Sequence, residues 1–246
     1  MNREKLIETA KDTILKCETE YSWMISGSEN IYYNVDDLNY QIKSDPKELN
    51  IKIVQKTTVE AILSNNNKKF AVLNFASAKY AGGGFLSGAV AQEEALARAS
   101  SLYPMLKRCT EFYIKEDAKY PFYTDKIIYT TPIVIFKDDY GNIVSPVECD
   151  VITCAAPNYN KYNAGVDLNK HKEIISQRFT KVLMSAIENK QRNLILGAWG
   201  CGIFQNPPEI NARVFGEVLI KYAGYFDDVI FAIPDMKNFT IFVDNL

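Results

Sequence analysis

Three consecutive glycines, Gly82, Gly83 and Gly84, precede a pair of adjacent glutamates, Glu93 and Glu94, which follow Gln92. Consecutive glycines admit positive φ and let a ligand approach to backbone distance. Their successive N–H groups can line one concavity and hold phosphate oxygens. Carboxyls at a helix start supply acid–base chemistry, worth roughly 10²–10⁴-fold in rate when positioned. Being adjacent, the two glutamates leave a helix about 100° apart, so they do not flank one bond as the carboxyl pair of most glycosidases does. One is expected to face a cleft and donate a proton while the other holds a sugar hydroxyl. A short apolar run ending at Asn74 leads into the glycines, so the stretch Val72–Pro104 reads as strand, glycine loop and acidic helix start. Those are parts for an anionic, sugar-bearing ligand.

A second turn has the same character. Gly200, Cys201, Gly202, Ile203 and Phe204 follow an apolar strand pattern at Leu194–Ala198. A helix comes next, with Asn206 as expected N-cap and proline in its first position. Backbone donors beside a helix N-terminus favour anions, and Phe204 is placed to lie against a sugar or base. Each feature has a plainer reading: a triple glycine as a simple turn, first-turn glutamates as partners of the helix dipole, and Trp199, Ile203 and Phe204 as core. Neither turn completes G-x-G-x-x-G, and no P-loop pattern occurs.

Composition narrows the chemistry further. A formal charge of −2 argues against broad binding to nucleic-acid backbones. One histidine, His171, read as a solvated surface group, and dispersed cysteines offer too few ligands for zinc, and no persuasive base for a histidine triad. Catalysis is thereby pushed onto carboxylates. The five cysteines (Cys17, Cys109, Cys149, Cys154, Cys201) form no C-x-x-C pair and read as reduced thiols of a cytoplasmic protein. No apolar run is long enough to span a membrane, and the N-terminal segment lacks the apolar core of a signal peptide.

The elements that must position these residues follow from periodicity. Residues 1–25 have helical spacing and 26–50 are polar, with a turn at Pro46; together, 1–50 read as an extension packed on a main domain at 51–246. Within that domain the pattern predicts a strand at Ile51–Val54, a helix capped by Thr57 or Thr58, a strand at Phe70–Asn74 and a helix from Gln92. Pro104 ends that helix or begins another carrying Met105, Leu106, Phe112 and Ile114. The runs Ile127–Phe136 and Val147–Ala156 suggest a hairpin. Residues 157–169 read as a loop, Ile175–Ile187 as a helical stripe, Val229–Ile233 as a strand and Thr240–Val243 as a closing edge strand. Strands alternating with helices imply an α/β domain of three layers around a mixed sheet. Ligands of such sheets bind at the strands' carboxyl ends, where both glycine turns fall.

The triple glycine followed by Gln92-Glu93-Glu94 resembles the signature of the poly(ADP-ribose) glycohydrolases, particularly their microbial form. Asn74-Phe75-Ala76-Ser77 is similar to the first-loop segment of a macrodomain, and Gly197–Pro208 to that fold's diphosphate-binding loop. Val151–Asn160 also resembles a segment of the microbial branch. The resemblance implies an α/β/α macrodomain-like fold with a mostly helical N-terminal extension, and hydrolysis of ribose–ribose O-glycosidic bonds in poly(ADP-ribose) without a metal or cofactor. It implies that Glu94 is the general acid; an acid working near neutral pH needs a raised pKa, which Glu93 and the substrate diphosphate would supply. Glu93 and Asn74, with Ser77 as an alternative, would orient the distal ribose. Gln92 and Gly82–Gly84 would contact substrate, Gly200–Phe204 would wrap the diphosphate, and Phe204 would pack on the proximal ribose. Other readings are hydrolysis of mono-ADP-ribose on protein or nucleic acid, and a non-catalytic ADP-ribose binding module, for which an intact acid is superfluous.

Overall fold

The structure, a computed structural model, describes residues 1–34, 36–38, 47–113, 121–161 and 167–246. The expected turn at Pro46, Ile114 and residues 162–166 of the expected loop lie outside them. In chain order the elements are α1 (Arg3–Glu18), α2 (Ser22–Gly27), β1 (Glu29–Tyr33), β2 (Asn50–Val54), α3 (Thr58–Ser64), β3 (Ala71–Phe75), α4 (Gln92–Ala99) and α5 (Leu102–Leu106). There follow β4 (Ile127–Lys137), β5 (Ile143–Cys154), α6 (Leu168–Glu188), β6 (Asn193–Leu196), α7 (Pro208–Lys221), β7 (Asp228–Ala232) and α8 (Met236–Asn245).

Side chains of the central strands alternate between two helical layers, as a pleated strand buried on both faces requires. Leu73, Ile152, Leu194 and Phe231 pack on α6, α7 and α8 through Phe179, Phe215 and Phe242. Val72, Val151, Ile195 and Ile230 pack on α3, α4 and α5 through Val59, Leu96 and Leu102. The sheet has the order β1-β4-β5-β3-β6-β7-β2. Its β5-β3-β6-β7-β2 portion is parallel, whereas β1-β4-β5 is antiparallel and contains the expected hairpin. The domain is therefore a three-layer α/β/α fold on a mixed sheet. Among the described residues no helix is long and apolar enough to cross a membrane.

Several elements differ from the sequence expectations. Glu29–Tyr33, within a stretch read only as polar, is an edge strand paired with β4. Its Asn30 and tyrosines are half-buried, and Asn30 Nδ2 donates to the Met105 carbonyl; polar side chains hid the strand. Thr240–Val243 is helical and belongs to α8. There Asp235 caps the helix by accepting from the Asn238 amide, and helical spacing buries Phe242 beside Phe239, so β-branched composition misled. Pro104 sits in the first turn of α5, where a missing N–H costs nothing. That helix stops at Leu106, leaving Phe112 buried beyond its end.

At α3 the expected cap is present as a full capping box. Thr57 Oγ1 accepts from the Glu60 amide at 3.0 Å, and Glu60 answers by accepting from the Thr57 amide at 2.9 Å. The Thr57 hydroxyl also donates to Asp139 at the hairpin tip. Thr57→Ala is expected to lower unfolding free energy by about 1–2 kcal/mol, measured by urea denaturation.

Candidate active site

The cleft lies at the carboxyl ends of the parallel strands and encloses about 760 Å³. It is lined by the first loop (Phe75–Tyr80), the start of α4, Tyr123, the second loop, and the segment Ala232–Asp235 with Asn238. The first loop leaves β3 and the second leaves its neighbour β6. A single carbonyl, that of Cys154 at the end of β5, accepts from the Ala76 amide and from Trp199 Nε1, each at 3.2 Å. The segments that follow β3 and β6 thus open on one cleft and share a hydrogen-bond acceptor, while Gly82–Gly84 lie outside the residues that line it.

Glu93 and Glu94 stand in the first turn of α4, 2% and 7% exposed. Their divergence at the backbone does not separate their carboxyls, which meet again under Gly83. A Cβ on Gly83 would lie 2.4 Å from Glu94 Oε1 and 3.1 Å from Glu93 Oε2. Gly82 and Gly83 also have φ of +70° and +56°, so glycine is needed for both backbone and space. The Gly84 amide donates to Glu94 Oε1 at 2.7 Å. Glu94 Oε2 is buried with no partner among the described residues. Glu93 Oε2 accepts from the Ser77 amide at 2.7 Å, and its Oε1 from Asn74 Nδ2 at 3.3 Å.

Burial pushes the Glu93 carboxyl up to about 8; the negative charge of Glu94 adds to this, while the Ser77 and Gly82 amides and Asn74 oppose it. Glu93 points inward toward β3, where it meets Asn74. Asn74 is fully buried, its amide shared between Glu93 and Thr153 Oγ1, so it positions Glu93 from beneath. Gln92 lines the cleft, but its amide is engaged: Oε1 accepts from the Phe75 amide, and Nε2 donates to the Leu73 carbonyl and to Thr58 Oγ1. It ties the start of α4 to the end of β3 and to α3.

In the second loop Gly200 has φ +81°, and a Cβ there would fall 2.8 Å from Asn206 Nδ2. Cys201, Gln205 and Asn206 amides bond within the loop. Those of Gly202, Ile203 and Phe204 find no acceptor among the described residues. Successive backbone amides can hold an anion where they face one concavity. Phe204 is half-buried, its ring 5.8 Å from that of Tyr123, whereas Ile203 projects outward at 73% exposure. Cys201 accepts a weak bond from Asn211 Nδ2, and burial pushes its thiol up, away from reactivity.

Asn206 does not cap α7; Pro207 occupies that position. The Asn206 amide instead donates to the Pro157 and Gly200 carbonyls, closing the loop on itself. His171 is buried, not solvated: Nε2 lies 3.0 Å from Asn211 Oδ1, and Asn211 Nδ2 donates to the Trp199 carbonyl. Burial lowers the histidine's pKa, so it stays neutral. Sequence reasoning missed His171, Asn211 and Tyr123 as contributors. Only a conspicuous Asn beside the glycine turn, Asn206, carried a local signal, and it was read as a cap.

The layering, the two loops at adjacent strand ends and the buried carboxyl pair define a macrodomain-like α/β/α fold. Residues 7–138 match the family model "Microbial-type PARG, catalytic domain", and the chain belongs to that family. No curated protein matches it. Among solved structures it is similar to a poly(ADP-ribose) glycohydrolase from Thermomonospora curvata bound to the inhibitor ADP-HPD, with 29% identity, a TM-score of 0.89, and 99% of this chain and 100% of that chain covered. It is also similar to a poly(ADP-ribose) glycohydrolase from Deinococcus radiodurans in complex with ADP-ribose, with 31% identity, a TM-score of 0.80 and coverage of 93% and 97%.

The raised Glu93 carboxyl has a consequence for stability. The folded state keeps its proton above the pH at which the unfolded chain releases it. This contribution is complete below the ordinary carboxyl range and is lost as pH rises toward 8. Denaturation of wild type and Glu93→Gln from about pH 5 to about pH 8.5 should show wild type losing stability relative to the variant as pH rises.

Proposed function

We propose that this protein is a poly(ADP-ribose) glycohydrolase that reverses ADP-ribosylation by hydrolysing ribose–ribose O-glycosidic bonds, with Glu94 as general acid and base. Family membership and the likeness to glycohydrolases solved with ADP-ribose and ADP-HPD support the activity. The observation that carries the role of Glu94 is its carboxyl: Oε1 is fixed by the Gly84 amide, while Oε2 is buried beside the cleft with no partner among the described residues.

In this reading the diphosphate sits on the Gly202–Phe204 amides, Phe204 packs on the proximal ribose, and Gly82–Gly84 approach the distal ribose. Glu93 orients that ribose, held in turn by Asn74 and Ser77. Glu94 delivers a proton to the ribose oxygen leaving the distal anomeric carbon, and the bond breaks through an oxocarbenium-like state. The Glu94 carboxylate then takes a proton from the water that attacks this carbon, which restores the acid. Residues 51–246 are taken as the catalytic domain and 1–50 as its extension. The unpaired cysteines favour a cytoplasmic setting.

Incubation with defined poly(ADP-ribose), reading out free ADP-ribose, tests this directly. Glu94→Gln should bind ADP-ribose by calorimetry yet release it from polymer at least about 100-fold more slowly than wild type. Ordinary turnover by Glu94→Gln would remove Glu94 from the mechanism. Wild-type protein that binds ADP-ribose but leaves the polymer intact would make the domain a reader.

A further inference from the structure

The first loop is held from outside as well as from beneath. After the three glycines the chain makes a short 3₁₀ turn at Phe85–Ser87 and reverses at Gly88, with φ +76°. The first turn of α1 lies directly on this reversal. Arg3 Nε donates to the Ser87 carbonyl at 2.9 Å. A Cβ on Gly88 would fall 2.9 Å from the Arg3 carbonyl oxygen and 3.2 Å from Ile7 Cγ1. Phe85, fully buried, fills a small cluster with Ala10 of α1 and Ala97 of α4, edged by Ile14 and Tyr103.

Helix α1 is itself anchored to rigid parts of the domain. Lys137, at the end of β4 and 1% exposed, donates to the Thr9 carbonyl and to Thr13 Oγ1 and pairs with Asp12 at 2.6 Å. Thr13 Oγ1 donates in turn to the Arg98 carbonyl near the end of α4. One line of contacts therefore runs from the sheet through α1 to Ser87 and Gly88, and so to Gly84, whose amide holds Glu94 Oε1.

We propose that α1 is a positioning element of the active site, in which Arg3 holds the Ser87 carbonyl and thereby keeps the Gly84 amide and the Glu94 carboxyl in register. Arg3 acts through the loop, so it is a positioning residue. Its role rests on the proposed glycohydrolase reading only where turnover is the readout; the effect on the loop stands independently. The contact is surface-exposed, so its loss should change global stability little.

The test compares wild type, Arg3→Ala, Arg3→Lys and Gly88→Ala in the full chain. Arg3→Ala is expected to lower kcat on poly(ADP-ribose) about 10-fold or more, since small misplacements of catalytic groups carry such costs. Its ADP-ribose affinity and melting temperature should stay close to wild type, and Arg3→Lys should recover part of the rate. Gly88→Ala, which crowds Arg3, should act in the same direction as Arg3→Ala. Amide hydrogen exchange should quicken across residues 82–88 in Arg3→Ala and Gly88→Ala. Wild-type kcat together with unchanged exchange in Arg3→Ala would overturn the proposal. So would a loss of rate that only matches a loss of melting temperature. If wild type releases nothing from polymer, the glycohydrolase reading fails, and the exchange comparison alone decides whether Arg3 fixes the loop.

Discussion

Two carboxyl groups buried side by side at one helix start are the constraint around which this molecule is built. Removing such groups from water is costly unless hydrogen bonds and retained protons compensate. The compensation comes from backbone amides of the loop that covers them, Ser77 for Glu93 and Gly84 for Glu94. A side chain on Gly83 would occupy the space of the carboxyls themselves. The glycines are therefore explained as much by the acid pair beneath them as by any ligand above. Gln92 completes the arrangement as a strut, fixing the helix start to the strand that launches the loop.

The opposite wall of the cleft is braced by a chain of neutral polar groups. His171 on α6 and Asn211 on α7 meet below the second loop, and Asn211 reaches the Trp199 carbonyl. Asn206 gathers the loop's other end onto Gly200 and Pro157. Buried amides and an imidazole whose pKa is lowered by burial hold this wall.

Features that declare themselves locally were legible in the sequence. The glycine–glutamate spacing, the Thr57 capping box, the β4–β5 hairpin and the strand before each loop all follow from adjacent residues or simple periodicity. What escaped depends on distant partners. Strand β1 exists because β4 offers it a ladder, not because Glu29–Tyr33 is apolar. His171 is buried because Asn211, forty positions on, satisfies its ring. Adjacent glutamates leave a helix about 100° apart, but the approach of these two carboxyls under Gly83 depends on loop geometry. Burial raises the Glu93 carboxyl, a consequence of its turning inward toward Asn74 in β3.

The shared carbonyl of Cys154 has a mechanical consequence. Because Ala76 and Trp199 both donate to it, and because their loops leave strands paired to each other, the roots of the cleft form a single jaw. Below it the two strands are laddered at Ala71–Leu194 and Val72–Ile195. Widening it would mean breaking sheet hydrogen bonds. The outer tips stand clear of this clasp, Tyr80 and Ile203 being 69% and 73% exposed. The cleft is thus clasped at its roots and open at its lips.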